Sequence, residues 1–121
     1  MTVHPLKHLT NTIGFGWLVR NGEVVPSPGN QIAPRTAIGV DKEGKLLMFE
    51  ADGIEKKNIG LSLNQTAEWF KEMGAYHAIN LDGGGSSTVF FNSSVVNHPT
   101  STDTGYWAQR PVTTVTCIRY K

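Results

Sequence analysis

Between Ser62 and Gly74 the apolar positions Leu63, Ala67, Phe70 and Met73 recur at helical spacing and define one face of an α-helix. Ser62 with Gln65 three residues later is a capping-box signature, and Gly74 suits the helix stop. No other stretch carries so strong a helical period. The rest reads as short β-type runs separated by turn residues. Residues 17–20 and 23–25 flank Asn21-Gly22, a hairpin signal. Residues 36–40 and 45–51 flank Asp41-Lys42-Glu43-Gly44, a type I turn plus glycine, and form the most secure hairpin in the chain. Residues 78–81 read as a buried strand, with further strands expected at 88–91, 95–96 and 112–120. Phe90 and Phe91 are expected in the core. Residues 26–34, rich in proline and glycine, form a surface loop, and 97–111 make a connection long enough to suggest a functional role. The pattern predicts an α+β domain: a mixed, mostly antiparallel sheet with one main helix packed on it.

Composition narrows the function classes. At 121 residues the chain suits a single domain over 1–121 with one modest core. Eleven basic and ten acidic residues give a formal charge of +1, which does not suggest nucleic-acid binding. Lys56-Lys57 is the only basic pair outside scattered charges and is expected on a solvated loop. A single cysteine, Cys117, excludes an intrachain disulfide; in its β-branched surroundings it reads as a buried, inert thiol. No run approaches the roughly 18 apolar residues of a membrane span. The first twelve residues show no apolar signal-peptide core. Of two glycosylation triplets, Asn92 on a turn is a better acceptor than Asn64 on the helix.

The chemistry concentrates in Asn80 to Phe91, "NLDGGGSSTVFF". Glycines after a buried strand let backbone approach a ligand without a Cβ in the way. Successive N–H groups can form an anion-holding nest, to which Ser86, Ser87 and Thr88 add hydroxyls. The run is not a Walker loop, since no lysine follows the glycines, and not a dinucleotide fingerprint, since a strand rather than a helix follows. Nor is it a nucleophile elbow, since Thr88 stands where the closing glycine belongs. A glycine-rich strand connection without a ligand is the competing reading. Asp82 beside a phosphate nest would repel the phosphate unless it faced a metal, a sugar hydroxyl or an electron-poor carbon. That constraint favours a ligand with both a phosphate and a sugar.

Taken in order, "APRTAIGVDKEGKLLMFEADG", "GLSLNQTAEWF" and "AINLDGGGSSTVFFN" resemble the phosphodiester glycosidase family. "GFGWLVRNGEVV" and "RPVTTVTCIRY" extend the likeness over residues 14 to 120. The resemblance implies that 1–121 corresponds to the C-terminal part of a longer catalytic domain. It implies hydrolysis of a sugar-1-phosphodiester, such as N-acetylglucosamine-1-phospho-6-mannose, which exposes mannose 6-phosphate for lysosomal sorting. A non-catalytic sugar-phosphate-binding or structural remnant is the alternative. The resemblance also implies the secretory pathway and Golgi.

On this reading Asp82 is the catalytic carboxylate or a metal ligand, and Asp52 is the candidate second carboxylate. Arg35 in "RTAIG" is the phosphate clamp, because guanidinium pairs with phosphate oxygens, and Thr36 is a neighbouring donor. Gly83, Gly84, Gly85, Ser86 and Ser87 complete the phosphate cradle. Calcium is left open as a cofactor, with no dense oxygen-ligand cluster to support it. The four histidines (His4, His8, His77, His98) show no metal spacing, although His98 lies in the late loop and could reach the site. Tyr106 and Trp107 are candidates for stacking on a sugar. Trp69, opposite the helix's apolar stripe, is the candidate contact with a second copy or with a partner that supplies the other half of the site.

Overall fold

Asn21 and Gly22 both adopt positive φ, 54° and 78°, the type I′ geometry whose twist matches that of the strands it joins. The computed structural model describes residues 16–100 and 107–118. In chain order these form β1 (Trp17–Arg20), β2 (Glu23–Val24), β3 (Arg35–Val40), β4 (Leu46–Ala51), α1 (Leu63–Glu72), β5 (His77–Asn80), β6 (Phe90–Phe91) and β7 (Ser94–Val95). Single 3-10 turns occupy Glu55–Lys57 and Gly84–Ser86. The first five strands make one sheet in the order β2-β1-β5-β3-β4, and β6-β7 form a separate hairpin. Every pairing is antiparallel.

The β3–β4 hairpin runs in register over six pairs, from Arg35↔Ala51 to Val40↔Leu46. Asp41 sets its turn by accepting from the backbone N–H groups of Glu43 (3.0 Å) and Lys45 (2.8 Å). On β1 the register to β5 shifts between Trp17 and Val19, a bulge that leaves Leu18 and Val19 both buried.

The capping box forms as its sequence predicts: Ser62 Oγ accepts from Gln65 N–H, and Gln65 Oε1 accepts from Ser62 N–H. At the other end Gly74 N–H donates to Lys71 O and Ala75 N–H to Phe70 O, the paired bonds of a Schellman stop. Helix α1 lies on β1, β2 and β5. It buries Thr66, Ala67 and Phe70 against Leu18, Val19, Ala37 and Ala78. Gly39 makes room for Phe70, since a Cβ there would lie 2.9 Å from the Phe70 ring and 2.7 Å from His77 O. Met73, the last member of the apolar stripe, is 40% exposed, whereas Thr66 is buried with its hydroxyl donating to Ser62 O at 2.8 Å.

Several expectations give way to tertiary context. Residues 112–118 form no strand and are exposed, because the described sheet ends at β2 and β4 and neither edge pairs with them. Cys117 in that stretch is exposed rather than buried. Phe90 and Phe91 are 69% and 71% exposed, because the short β6–β7 hairpin stands clear of the helix-covered sheet. The strand expected over 88–91 shrinks to Phe90–Phe91, closed by Asn92 and Ser93 at φ 47° and 66°. Among the glycosylation triplets, the Asn64 amide is tied to the Ser27 backbone in both directions. His4, His8, Tyr106 and Tyr120 lie outside the described residues.

Candidate functional site

Strand β5 ends at Asn80, and the chain then docks against the entry to β3. Leu81 N–H donates to Thr36 O at 2.8 Å, and Gly84 N–H to Pro34 O at 2.9 Å. A Cβ on Gly83 would lie 2.7 Å from Pro34 O, and Gly84 sits at φ 56°. The first glycine is therefore required by close approach and the second by backbone conformation. Ser86 N–H to Gly83 O and Ser87 N–H to Gly84 O close the 3-10 turn. The N–H groups of Gly84, Ser86 and Ser87 are thus engaged within the fold. The loop provides backbone proximity more than the expected row of converging donors.

This loop forms one wall of a polar cleft of about 330 Å³. Asn80, Leu81, Asp82 and Gly83 to Gly85 line that wall, facing Gln31, Ala33, Arg35, Glu55, Leu63 and Arg110. Arg35 Nε donates to Leu61 O at 2.9 Å and its Nη2 to Gln31 O at 2.6 Å, tying two loops to the start of β3. Burial lowers the pKa of its guanidinium, and the Glu55 carboxylate acts in the opposite direction. Arg110 Nη2 donates to Ser86 Oγ at 2.8 Å. Asp82 is exposed at the cleft. Two guanidinium groups, two carboxylates (Asp82 and Glu55) and three glycines therefore share one concavity.

The remaining candidates lie elsewhere. Thr36 points to the sheet face opposite Arg35, paired across the strands with Glu50. Asp52 follows β4, where its carboxylate accepts from Asn97 Nδ2 at 3.0 Å and from the His98 backbone N–H at 2.9 Å. Asn97 Nδ2 also donates to Ser87 O, so the buried Ser87 joins this group rather than the cleft. Glu50 sits beside Asp52 with its pKa raised to about 7. Burial is the main cause, the Asp52 carboxylate adds to it, and the Asn97 amide opposes it. Asp52 also borders an apolar groove of about 480 Å³ formed by Phe49, Ala51, Ile59, Gly60, Leu61 and Trp69. The Trp107 ring stands 6.5 Å from that of His98, away from Asp82's cleft.

Sequence reasoning did not single out Asn80, Arg110 or Glu50 as site residues. Arg110 carried one usable signal, its place in an unusually long loop; the other two read as ordinary strand positions. Among the described residues no group of three or more histidine, cysteine, aspartate or glutamate side chains is gathered to hold a metal ion. No helix among them is long and apolar enough to cross a membrane.

Residues 1–119 match the family model for phosphodiester glycosidase. The chain belongs to the phosphodiester glycosidase family. It is similar to N-acetylglucosamine-1-phosphodiester alpha-N-acetylglucosaminidase from Mus musculus, with 33% identity over 96% of this chain and 26% of that protein. The Homo sapiens protein of the same name is 34% identical over 97% of this chain and 26% of its own length. Among solved structures, the auto-inhibited catalytic domain of the zebrafish enzyme superposes with a TM-score of 0.71 at 32% identity. That match covers 82% of this chain and 38% of the zebrafish domain. The chain thus spans about a quarter of the length of the curated relatives it matches.

Proposed function

We propose that the Asp82 cleft is the working site of a phosphodiester glycosidase, a hydrolase that cleaves a sugar-1-phosphodiester. N-acetylglucosamine-1-phospho-6-mannose is the proposed substrate, with free N-acetylglucosamine and exposed mannose 6-phosphate as products. One observation carries this reading: in a chain of this family, Arg35, Arg110, Asp82 and the three glycines line the same cleft. The guanidinium groups balance charge on the phosphate, and the glycine backbone lets the diester approach closely. Asp82 acts at the anomeric carbon, either as nucleophile or as base for the attacking water. The bond from the anomeric carbon to the phosphate oxygen breaks, and the electron pair leaves on a phosphate ester. Such a leaving group needs little protonation, so a single carboxylate suffices where ordinary glycosides use two. On this reading Asp52, whose carboxylate accepts from Asn97 and His98 outside the cleft, is not required as a second carboxylate.

The test is release of N-acetylglucosamine from the phosphodiester by the purified chain, beside Asp82→Asn. Turnover by the parent and its loss in the variant support the reading; equal rates remove Asp82 from the chemistry. A second reading, sugar-phosphate binding without turnover, draws on the 38% share of the zebrafish catalytic domain that the chain matches. Saturable binding that Arg35→Ala weakens, with no sugar released, favours it.

A further inference from the structure

Glu55 opens the 3-10 turn Glu55–Lys57 and lines the same cleft as Asp82. Its Oε1 accepts from Gln31 Nε2 at 2.5 Å in a solvent-exposed bond. Gln31 in turn accepts from Arg35 Nη2 through its backbone carbonyl, so one residue ties both Glu55 and Arg35 to the same wall. The Glu55 carboxylate acts electrostatically on the Arg35 guanidinium. Among the described residues, the charged side chains lining the cleft are Arg35 and Arg110 on the positive side and Asp82 and Glu55 on the negative. Lys56 and Lys57 follow Glu55 on the turn but are exposed and lie outside this lining. The cleft is therefore formally neutral, although its arginines are its means of drawing a phosphate.

A neutral cleft is a poor match for a dianion. A phosphodiester carries one negative charge, whereas a phosphomonoester, with a second pKa of about 6, carries about 1.5 to 2 at neutral pH. The substrate of the proposed reaction is the first kind and its phosphate product the second. We infer that Glu55 is a specificity-determining residue whose carboxylate lets the cleft hold a singly charged phosphodiester and disfavours the more highly charged phosphomonoester that cleavage leaves behind. In that cleavage the oxygen of water stays on the sugar with one proton. Its other proton goes to the phosphate or, above about pH 6, to solvent, so negative charge grows beside a fixed carboxylate and the product is loosened. Asp82 adds to the same charge balance but is assigned to the anomeric carbon, whereas Glu55 acts where Arg35 meets the phosphate. This inference rests on the reading that the cleft takes a sugar phosphodiester, and it adds which charge state of phosphate is selected and which residue selects it.

Calorimetric titration of the full chain with mannose 6-phosphate and with its methyl diester, mannose 6-(methyl phosphate), tests it. The two ligands differ by one methyl group and by up to one charge, and neither carries phosphate on an anomeric carbon, so neither is cleaved. The parent should bind the diester more tightly at about pH 7.5, where the monoester is mostly a dianion. Glu55→Gln keeps the side chain's shape and its acceptor for Gln31 and removes only the charge. It should tighten monoester binding by roughly three- to tenfold and diester binding by less, so that the preference narrows. Glu55→Asp keeps the charge and should keep the parent's preference. Gln31→Ala removes the hydrogen bond and leaves the charge, so its preference should persist as well. A parent that favours the monoester, an equal change for both ligands in Glu55→Gln, or no change for either overturns the proposal. So does a Gln31→Ala variant that loses the preference as fully as Glu55→Gln, since the tether rather than the charge would then be responsible. Failure of the catalytic reading looks different: a Glu55-dependent preference without release of N-acetylglucosamine sinks the glycosidase reading and leaves this one standing. If the parent chain binds neither ligand, both fall.

Discussion

Asp82 and Asp52 each follow the end of a β-strand and precede a glycine, yet their surroundings differ. Asp82 stands at a polar cleft beside two guanidinium groups and backbone without side chains. Asp52 holds a connection together, accepting from Asn97 and His98 and sharing its space with Glu50. In sequence the two motifs, "LDGG" and "EADG", look alike. Their neighbours in space separate a carboxylate exposed at a cleft from one that meets the protein's own N–H groups.

The sharpest way to break this contrast is to neutralise each carboxylate in turn. Asp82→Asn should lower kcat by about 10²–10⁴-fold, the usual contribution of a positioned acid or base. Asp52→Asn should leave kcat within a few-fold of the parent in the same assay. An equal fall for both would make Asp52 the second catalytic carboxylate after all.

Gly83→Ala probes the cleft through its backbone. The new Cβ would press on the Pro34 carbonyl, so the variant should lose about 1–3 kcal/mol of stability and bind sugar phosphate less well. Denaturant melts and the binding titration read the two effects separately. At the other carboxylate, Asp52→Ala removes the acceptor that the His98 N–H and the Asn97 amide share, and should cost about 1–2 kcal/mol. Chemical denaturation measures that loss directly.

The smallest effect concerns Glu50 and pH. Its folded pKa, about 7, lies above the ordinary carboxylate value of 4.5, so the folded state holds its proton more tightly than the unfolded chain. The stability this contributes is fully present below about pH 4.5 and is lost as pH rises through about 7. Glu50→Gln should flatten the thermal midpoint across that window and stabilise the protein above it. An unchanged slope in the variant would assign the pH dependence to other groups.

Much of the fold was legible because its signals are local. The Ser62–Gln65 capping box, the Gly74 stop, the Asn21-Gly22 turn and the Asp41–Gly44 hairpin each follow from residues a few positions apart. Strand identity failed where pairing decides it. Residues 112–118 have strand-like composition but no partner among the described residues, and Phe90 and Phe91 have core-like side chains on a hairpin that no core covers. Site legibility divides the same way. Arg35, Asp82 and the glycines stood out by motif, whereas Arg110 joins them from 25 or more residues further along the chain, beyond any local pattern.

The sequence by itself determined the helix, its caps, the hairpin turns and the glycine loop, because hydrogen bonds between near neighbours and backbone preferences set each of them. Only the tertiary structure decided which charged groups meet. The antiparallel order β2-β1-β5-β3-β4 places the end of β5 beside the start of β3, bringing Asp82 to Arg35 across 47 positions of sequence. The same pairing of β3 with β4 directs Thr36 and Glu50 to the opposite face. Neighbouring side chains on a strand alternate between faces, so adjacent residues such as Arg35 and Thr36 take part in different chemistry.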